Sequence, residues 1–226
     1  MIYGFDSLRY NKLITVLLLI ISIMPDASRS SEQSSQTTVL IIGDSLVQGF
    51  GLPEADGFVS QLQRDLFGKG QNVRIINGGV SGDTTAGGLA RLDWSLTDDI
   101  DGVAISLGAN DMLRGIPPEY SRENLRMMIE KLQLKELPLL LVGINSIGNY
   151  GIEYKSKFDN IFSELAEEHD ILCYPNFLAP ILDQNEFNLL DYFQDDKIHP
   201  NSKGVGIIVN GISPIFLDLI ELIRSR

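Results

Sequence analysis

Five short apolar runs leave this chain few folds to choose from: Val39–Ile42, Val73–Ile76, Val103–Leu107, Leu139–Ile144 and Ile171–Tyr174. Runs of this length, rich in Val, Ile and Leu, read as buried strands. Between them, Phe58–Phe67, Thr85–Leu96, Arg122–Lys135 and Tyr154–Glu168 place apolar residues at three- and four-residue spacings, the pattern of helices with one buried face. Ser121, followed by Glu123 and Asn124, is the expected start of the third of these helices, and Pro138 restarts the chain as a strand. Strand and helix therefore alternate. Right-handed crossovers turn such an alternation into a parallel sheet covered on both faces, with ligands bound at the carboxyl ends of the strands.

The chain ahead of the first run reads differently. Arg9 and Lys12 precede the apolar run Leu13–Ile23, which is followed by Pro25, Ala27 and the small residues Ser28 and Ser30. Residues 1–30 are expected to be a secretory signal peptide, since this run is shorter than the roughly 20 apolar residues a membrane-spanning helix needs. Residues 31–38, rich in Ser and Gln, are expected to be a poorly ordered connector, and residues 39–226 a single folded domain. The mature protein is expected to be periplasmic or secreted, with no stable membrane insertion once the signal is removed.

Loss of the signal moves the net charge from −12 to about −13. Such acidity disfavours nucleic acid and anionic membrane surfaces as partners. The single cysteine, Cys173, has no internal disulfide partner and falls within an apolar run, so it reads as a buried strand residue.

Three glycine-rich segments follow predicted strands directly: Gly43-Asp44-Ser45, Asn77-Gly78-Gly79-Val80-Ser81-Gly82-Asp83 and Gly108-Ala109-Asn110-Asp111. All should emerge at one edge of the sheet. A fourth segment, Asp195-Asp196-Lys197-Ile198-His199-Pro200, supplies a carboxylate and an imidazole. A neutral serine is a weak nucleophile and needs a base to take its proton, so Ser45 and His199 read as nucleophile and base. Asp196, three residues before His199, can fold back to Nδ1 and fix the ring's tautomer. The other histidine, His169, lies among charged residues and reads as a solvated helix end.

Acyl transfer also requires donors aimed at the developing oxyanion. The Ser45 amide, Gly82 and the side-chain amide of Asn110 are the candidates, asparagine being a donor that carries no titrating charge. Taken singly, each segment reads as a turn or a cap. Their joint occurrence in this order on an alternating α/β pattern is what points to chemistry.

The segments "GDSL", "NGGVSGDTTAGGLARL", "LGANDMLRG" and "DDKIHPN" resemble the four blocks of the SGNH (GDSL) hydrolases, in particular the bacterial arylesterases and the thioesterase/lysophospholipase branch. The resemblance runs from about Val39 to the C-terminus. It implies a flavodoxin-like three-layer α/β/α sandwich with a five-stranded parallel sheet of order 2-1-3-4-5, and hydrolysis of esters or thioesters without metal or cofactor. By motif position, Ser45 is the nucleophile, Gly82 and Asn110 complete the oxyanion hole, His199 is the base and Asp196 orients it. Asp44, Asp83 and Asp111 read as structural carboxylates and Asp195 as a solvated neighbour.

The segment "GINSIGNYG", after the fourth strand, departs from the family pattern, which usually shows prolines ahead of Asn-Tyr-Gly. The loss of prolines is expected to loosen this loop. Tyr150 is the expected wall of an acyl pocket, its ring covering methylenes while the hydroxyl stays wet. Small esters, acyl thioesters or lysophospholipids are the expected substrates. A carbohydrate O-acetylesterase is the competing enzyme reading, and a catalytically silent binding protein of the same fold the competing class.

Overall fold

Every residue of the first strand, β1 (Thr37–Gly43), is buried, as a strand covered on both faces of a parallel sheet must be. The computed structural model describes residues 36–184 and 186–226, with the side chains of 186–188 excepted. The expected signal peptide and residues 31–35 of the expected connector lie outside the described residues.

β1 pairs in parallel with β2 (Val73–Gly79) on one side and with β3 (Gly102–Ser106) on the other. β4 (Leu139–Val142) and β5 (Leu172–Tyr174) extend the sheet beyond β3, giving the order β2-β1-β3-β4-β5. This is the expected flavodoxin-like order. Helices α2 (Phe58–Gly68) and α8 (Ser202–Arg224) pack together on one face. The helices α3 (Thr85–Ser95), α5 (Pro118–Gln133) and α6 (Ile152–His169) cover the other. Short helices α1 (Ser45–Gln48), α4 (Ala109–Leu113) and α7 (Ala179–Leu182) begin close behind β1, β3 and β5.

The core is aliphatic along the strands and aromatic between sheet and helices, where Phe58, Phe158, Phe162, Phe177 and Phe216 are each fully buried or nearly so. Each contributes on the order of 2–3 kcal/mol of transfer free energy. The crossover from β1 to β2 runs one way and the return to β3 the other. The crevice between the carboxyl ends of β1 and β3 is therefore the topological switch point, where open α/β sheets bind ligands.

Two expected boundaries move. Thr37 and Thr38 are not connector but strand, paired with Val73 and Arg74. Their β-branched side chains suit a pleated backbone, and polar partners such as Arg224 Nε on Thr37 Oγ1 at 3.2 Å allow them to be buried. Helix α5 starts at Pro118, not at Ser121, because proline fits the first helical position. Ser121 is fully buried and bonds to a carboxylate instead.

Candidate active site

β1 ends where its neighbours leave no room for a side chain. A Cβ on Gly43 would stand 2.2 Å from Val47 Cγ2 and 3.0 Å from the Ser106 carbonyl oxygen, so only glycine lets the chain turn there into α1. Asp44 caps that helix, its Oδ1 accepting the Leu46 amide at 3.0 Å, and Ser45 becomes the first helical residue. The serine is thus set by a strand end, a cap and a close backbone approach.

His199 comes from the far end of the chain, on the loop leading into α8. The loop is closed by an antiparallel bridge between Phe193 and Pro200 and by the Gln194 amide donating to the His199 carbonyl at 2.8 Å. Gln194 Nε2 donates to the carbonyls of Pro200 at 3.0 Å and Phe50 at 2.8 Å, tying the histidine loop to the segment after α1. The Phe50 ring lies 4.7 Å, centroid to centroid, from the imidazole. Neither Gln194 nor Phe50 carried a sequence signal. The contacts of Phe50 with Gln194 and with His199 join residues more than a hundred positions apart.

His199 Nε2 is 2.9 Å from Ser45 Oγ, and Nδ1 is 2.6 Å from Asp196 Oδ2. Asp196 Oδ1 accepts the amides of Ile198 at 2.9 Å and His199 at 3.0 Å, which fixes the carboxylate before it meets the ring. Burial works to raise the Asp196 carboxyl, but the His199 amide and ring and the Ile198 amide outweigh it and hold its pKa at about 2. It is therefore ionised throughout the neutral pH range.

Gly82 sits in the left-handed region at φ +81°, and Arg114 holds its carbonyl at 2.8 Å. Among the described residues, no protein acceptor takes the N–H of Gly82 or of Ser45. Asn110 donates one amide hydrogen to the Asp83 carbonyl at 2.9 Å, which leaves the second for a ligand. Ser45, Gly82 and Asn110, from the ends of three neighbouring strands, all line one cavity together with His199.

The carboxylates read as structural occupy such places. Asp83 pairs with Arg91 Nε at 2.6 Å, and Arg91 also donates to the Gly43 carbonyl at 2.9 Å. Asp111 is fully buried and accepts from the Thr85 amide at 2.8 Å, Thr85 Oγ1 at 2.5 Å and Ser121 Oγ at 3.0 Å. It thereby locks the segment carrying Gly82 to the one carrying Asn110. Asp44 is 1% exposed; burial pushes its carboxyl up to about 6, Asp111 and Asp83 adding to this while the Leu46 amide and His199 oppose it. Asp195 is exposed.

The cavity holds about 590 Å³, and Phe50, Met112, Leu113, Ile144, Ile147 and Leu178 make much of its wall apolar. Tyr150 is not part of that wall. It is 46% exposed, its hydroxyl donates to the Leu113 carbonyl at 3.1 Å, and its ring lies against Gly115 and 5.2 Å from the Tyr154 ring. The loop after β4 does open onto the site, but through Ile144–Ile147, because Tyr150 comes after the chain has turned back toward α6. At its start the loop is held firmly: Asp159 Oδ1 accepts the Ser146 amide and Lys155 Nζ donates to the Ser146 carbonyl, both at 2.6 Å. Side chains of α6 supply the restraint that prolines would otherwise give.

Cys173 is half-buried in β5, where burial pushes its thiol up, and His169 is half-buried at the end of α6 beside Gln133. Neither lines the cavity. Among the described residues no cluster of His, Cys, Asp and Glu is arranged to hold a metal ion.

A serine, an imidazole and a carboxylate in one hydrogen-bonded line, set at the switch point of a parallel sheet, are the arrangement of a serine hydrolase on a flavodoxin-like fold. Residues 41–207 match the GDSL-like Lipase/Acylhydrolase family. An arylesterase of Vibrio mimicus is 38% identical over 175 residues, covering 77% of this chain and 82% of the relative. Esterase TesA of Pseudomonas aeruginosa is 35% identical over 171 residues, covering 75% and 83%. The crystal structure of AlinE4, an SGNH-hydrolase family esterase, superposes with a TM-score of 0.67 at 38% identity, over 81% of this chain and 96% of that one. The chain belongs to the GDSL, or SGNH, hydrolase family and is a serine ester hydrolase.

Proposed function

We propose that Ser45, His199 and Asp196 act as a catalytic triad on carboxylic esters or acyl thioesters whose acyl part is apolar. The observation that carries this reading is the line from Ser45 Oγ through both ring nitrogens to Asp196, at 2.9 and 2.6 Å, opening on an apolar cavity. His199 Nε2 takes the Ser45 proton as Oγ attacks the carbonyl carbon, and Asp196 stabilises the imidazolium that forms. The amides of Ser45 and Gly82 and the free N–H of Asn110 receive the oxyanion. Collapse of the tetrahedral intermediate breaks the bond to the alkoxide or thiolate, which leaves with the proton held by Nε2. Water, deprotonated by the same nitrogen, then releases the acid from the acyl-serine.

The test is covalent labelling by a fluorophosphonate, together with a rate panel of acetyl to decanoyl nitrophenyl esters and acetylated sugars. Labelling that Ser45→Ala abolishes, with rates rising along the acyl series, supports the reading. Turnover confined to acetylated sugars would favour the O-acetylesterase reading, and absence of labelling a silent binder.

The basic flank and the apolar run Leu13–Ile23 support export to the periplasm or beyond. N-terminal sequencing of the exported protein should find residues 1–30 removed. Met1 or Ile2 on membrane-associated protein would mean an uncleaved anchor.

A further inference from the structure

Lys197 occupies a place that lysine does not favour. Its φ is +58°, in the left-handed region. Among the described residues the other two non-glycine residues there are Asp170, which caps helix α6, and Glu136, in the turn that closes helix α5, where a left-handed residue is an ordinary way to leave a helix. Lys197 follows no helix. It lies between Asp196 and His199, within the turn that orients the imidazole, and it is one of the residues that line the cavity.

The charge around it is as unusual as the backbone. The protein carries a net charge of −12, yet among the described residues no aspartate or glutamate lines the cavity. Two lysines are. Lys155 is paired with Asp159 at 2.6 Å, whereas Lys197 makes no ion pair with any described carboxylate. Among the described residues, Lys197 is thus a lysine without a carboxylate partner, in an uncommon backbone conformation beside His199, and it stands open to a partner from outside the chain.

Building on the triad reading, we propose that Lys197 is a specificity-determining residue that pairs with an anionic group, a phosphate or a carboxylate, on the alcohol or thiol portion of the substrate. The side of the scissile bond follows from the chemistry. His199 Nε2 must return its proton to the departing oxygen or sulfur, so the leaving group lies against the histidine loop, and Lys197 belongs to that loop. The acyl portion lies toward the apolar wall. The favoured substrate is thus an amphiphile, apolar in its acid and anionic in its alcohol or thiol.

Two matched pairs of esters test this. The first compares 3-carboxyphenyl butyrate with neutral 3-carbamoylphenyl butyrate, so the charge lies on the leaving side. The second compares a phenyl monoester of glutaric acid with phenyl valerate, placing it on the acyl side. The readout is the ratio of kcat/KM within each pair, from which any general loss of activity cancels. In Lys197→Met the first ratio should fall by about three- to fivefold, mainly through KM, as expected for an exposed ion pair. It should be kept in Lys197→Arg and should shrink in the native enzyme as salt rises. A first ratio that Lys197→Met leaves unmoved overturns the inference alone. So does a fall confined to the second pair. A native enzyme that cleaves none of the four esters overturns the triad reading and this inference with it.

Discussion

The two halves of the site are held in place by different means. Ser45, Gly82 and Asn110 stand on strand ends, tied together from beneath by buried and half-buried polar groups: Asp44 on the Leu46 amide, Arg91 on Asp83 and Gly43, and Asp111 on Thr85 and Ser121. His199 and Asp196 hang on a loop whose residues from Asp195 to Ile198 are exposed, and Gln194 is its tie to the serine side. In the proposed mechanism the oxyanion donors act by being fixed before charge develops, so they belong on the rigid half. In that mechanism the imidazole instead takes and returns a proton, and the carboxylate beside it is oriented by amides of its own turn.

The largest effect should come from cutting the link between the halves. Ser45→Ala and His199→Ala are each expected to lower kcat by about 10⁴-fold or more, with the double variant hardly worse than either, because nucleophile and base act as one unit. Roughly additive losses in steady-state kinetics would separate the two residues and break the triad.

Asn110→Ala probes the rigid half alone. A donor seen only by the oxyanion should cost about 10²–10³ in kcat with little change in KM. A variant with near-normal kcat and a lowered melting point would reduce Asn110 to a brace on Asp83.

Asp111 sharpens the contrast from the stability side. Asp111→Ala leaves the Thr85 amide and two hydroxyls without their acceptor in a dry interior, and should lower unfolding free energy by about 3 kcal/mol in urea titration. Gln194→Ala, on the exposed loop, should cost less than about 1.5 kcal/mol. Equal losses would mean that the halves are not built differently.

Asp44 adds a pH signature. Its folded pKa of about 6 lies above the ordinary carboxylate value of 3.8, so the folded state binds a proton more readily than the unfolded chain does. The stability linked to that proton is present in full below pH 3.8 and is lost as pH rises through about 6. In paired unfolding measurements the native protein should gain on Asp44→Asn as pH falls from about 7 to 4. Asp196 has the opposite sign: its contribution is present above the ordinary carboxylate range and fades as pH falls toward about 2.

The smallest effect concerns Tyr150, which braces Leu113 from outside the cavity. Tyr150→Ala should change kcat/KM for acetyl to decanoyl esters by one common factor. Ile147→Ala, on the cavity wall, should flatten the preference for longer acyl groups by about 1 kcal/mol per lost methylene contact. A flattened profile in Tyr150→Ala would restore the tyrosine to the pocket.

Strand runs, their alternation with helices and the four loop segments were legible in the sequence because each is a local pattern: periodicity follows from burial, and glycine follows from a backbone with no room for a Cβ. The strand order came with the family resemblance. That Ser45, Gly82, Asn110, Asp196 and His199 belong together was also legible, since few residue types perform acyl transfer and each stands in a recognisable segment. What only the tertiary structure decided are contacts between distant segments. Periodicity could not show that Ser121 would serve Asp111 and not cap a helix, that Thr37 and Thr38 would be taken into β1, or that Gln194 would reach Phe50. Nor could it show that Tyr150 would face away from the cavity or that Lys155 and Asp159 would hold the loop in place of prolines. These outcomes depend on which side chains meet across the fold, and chain neighbours carry no record of that.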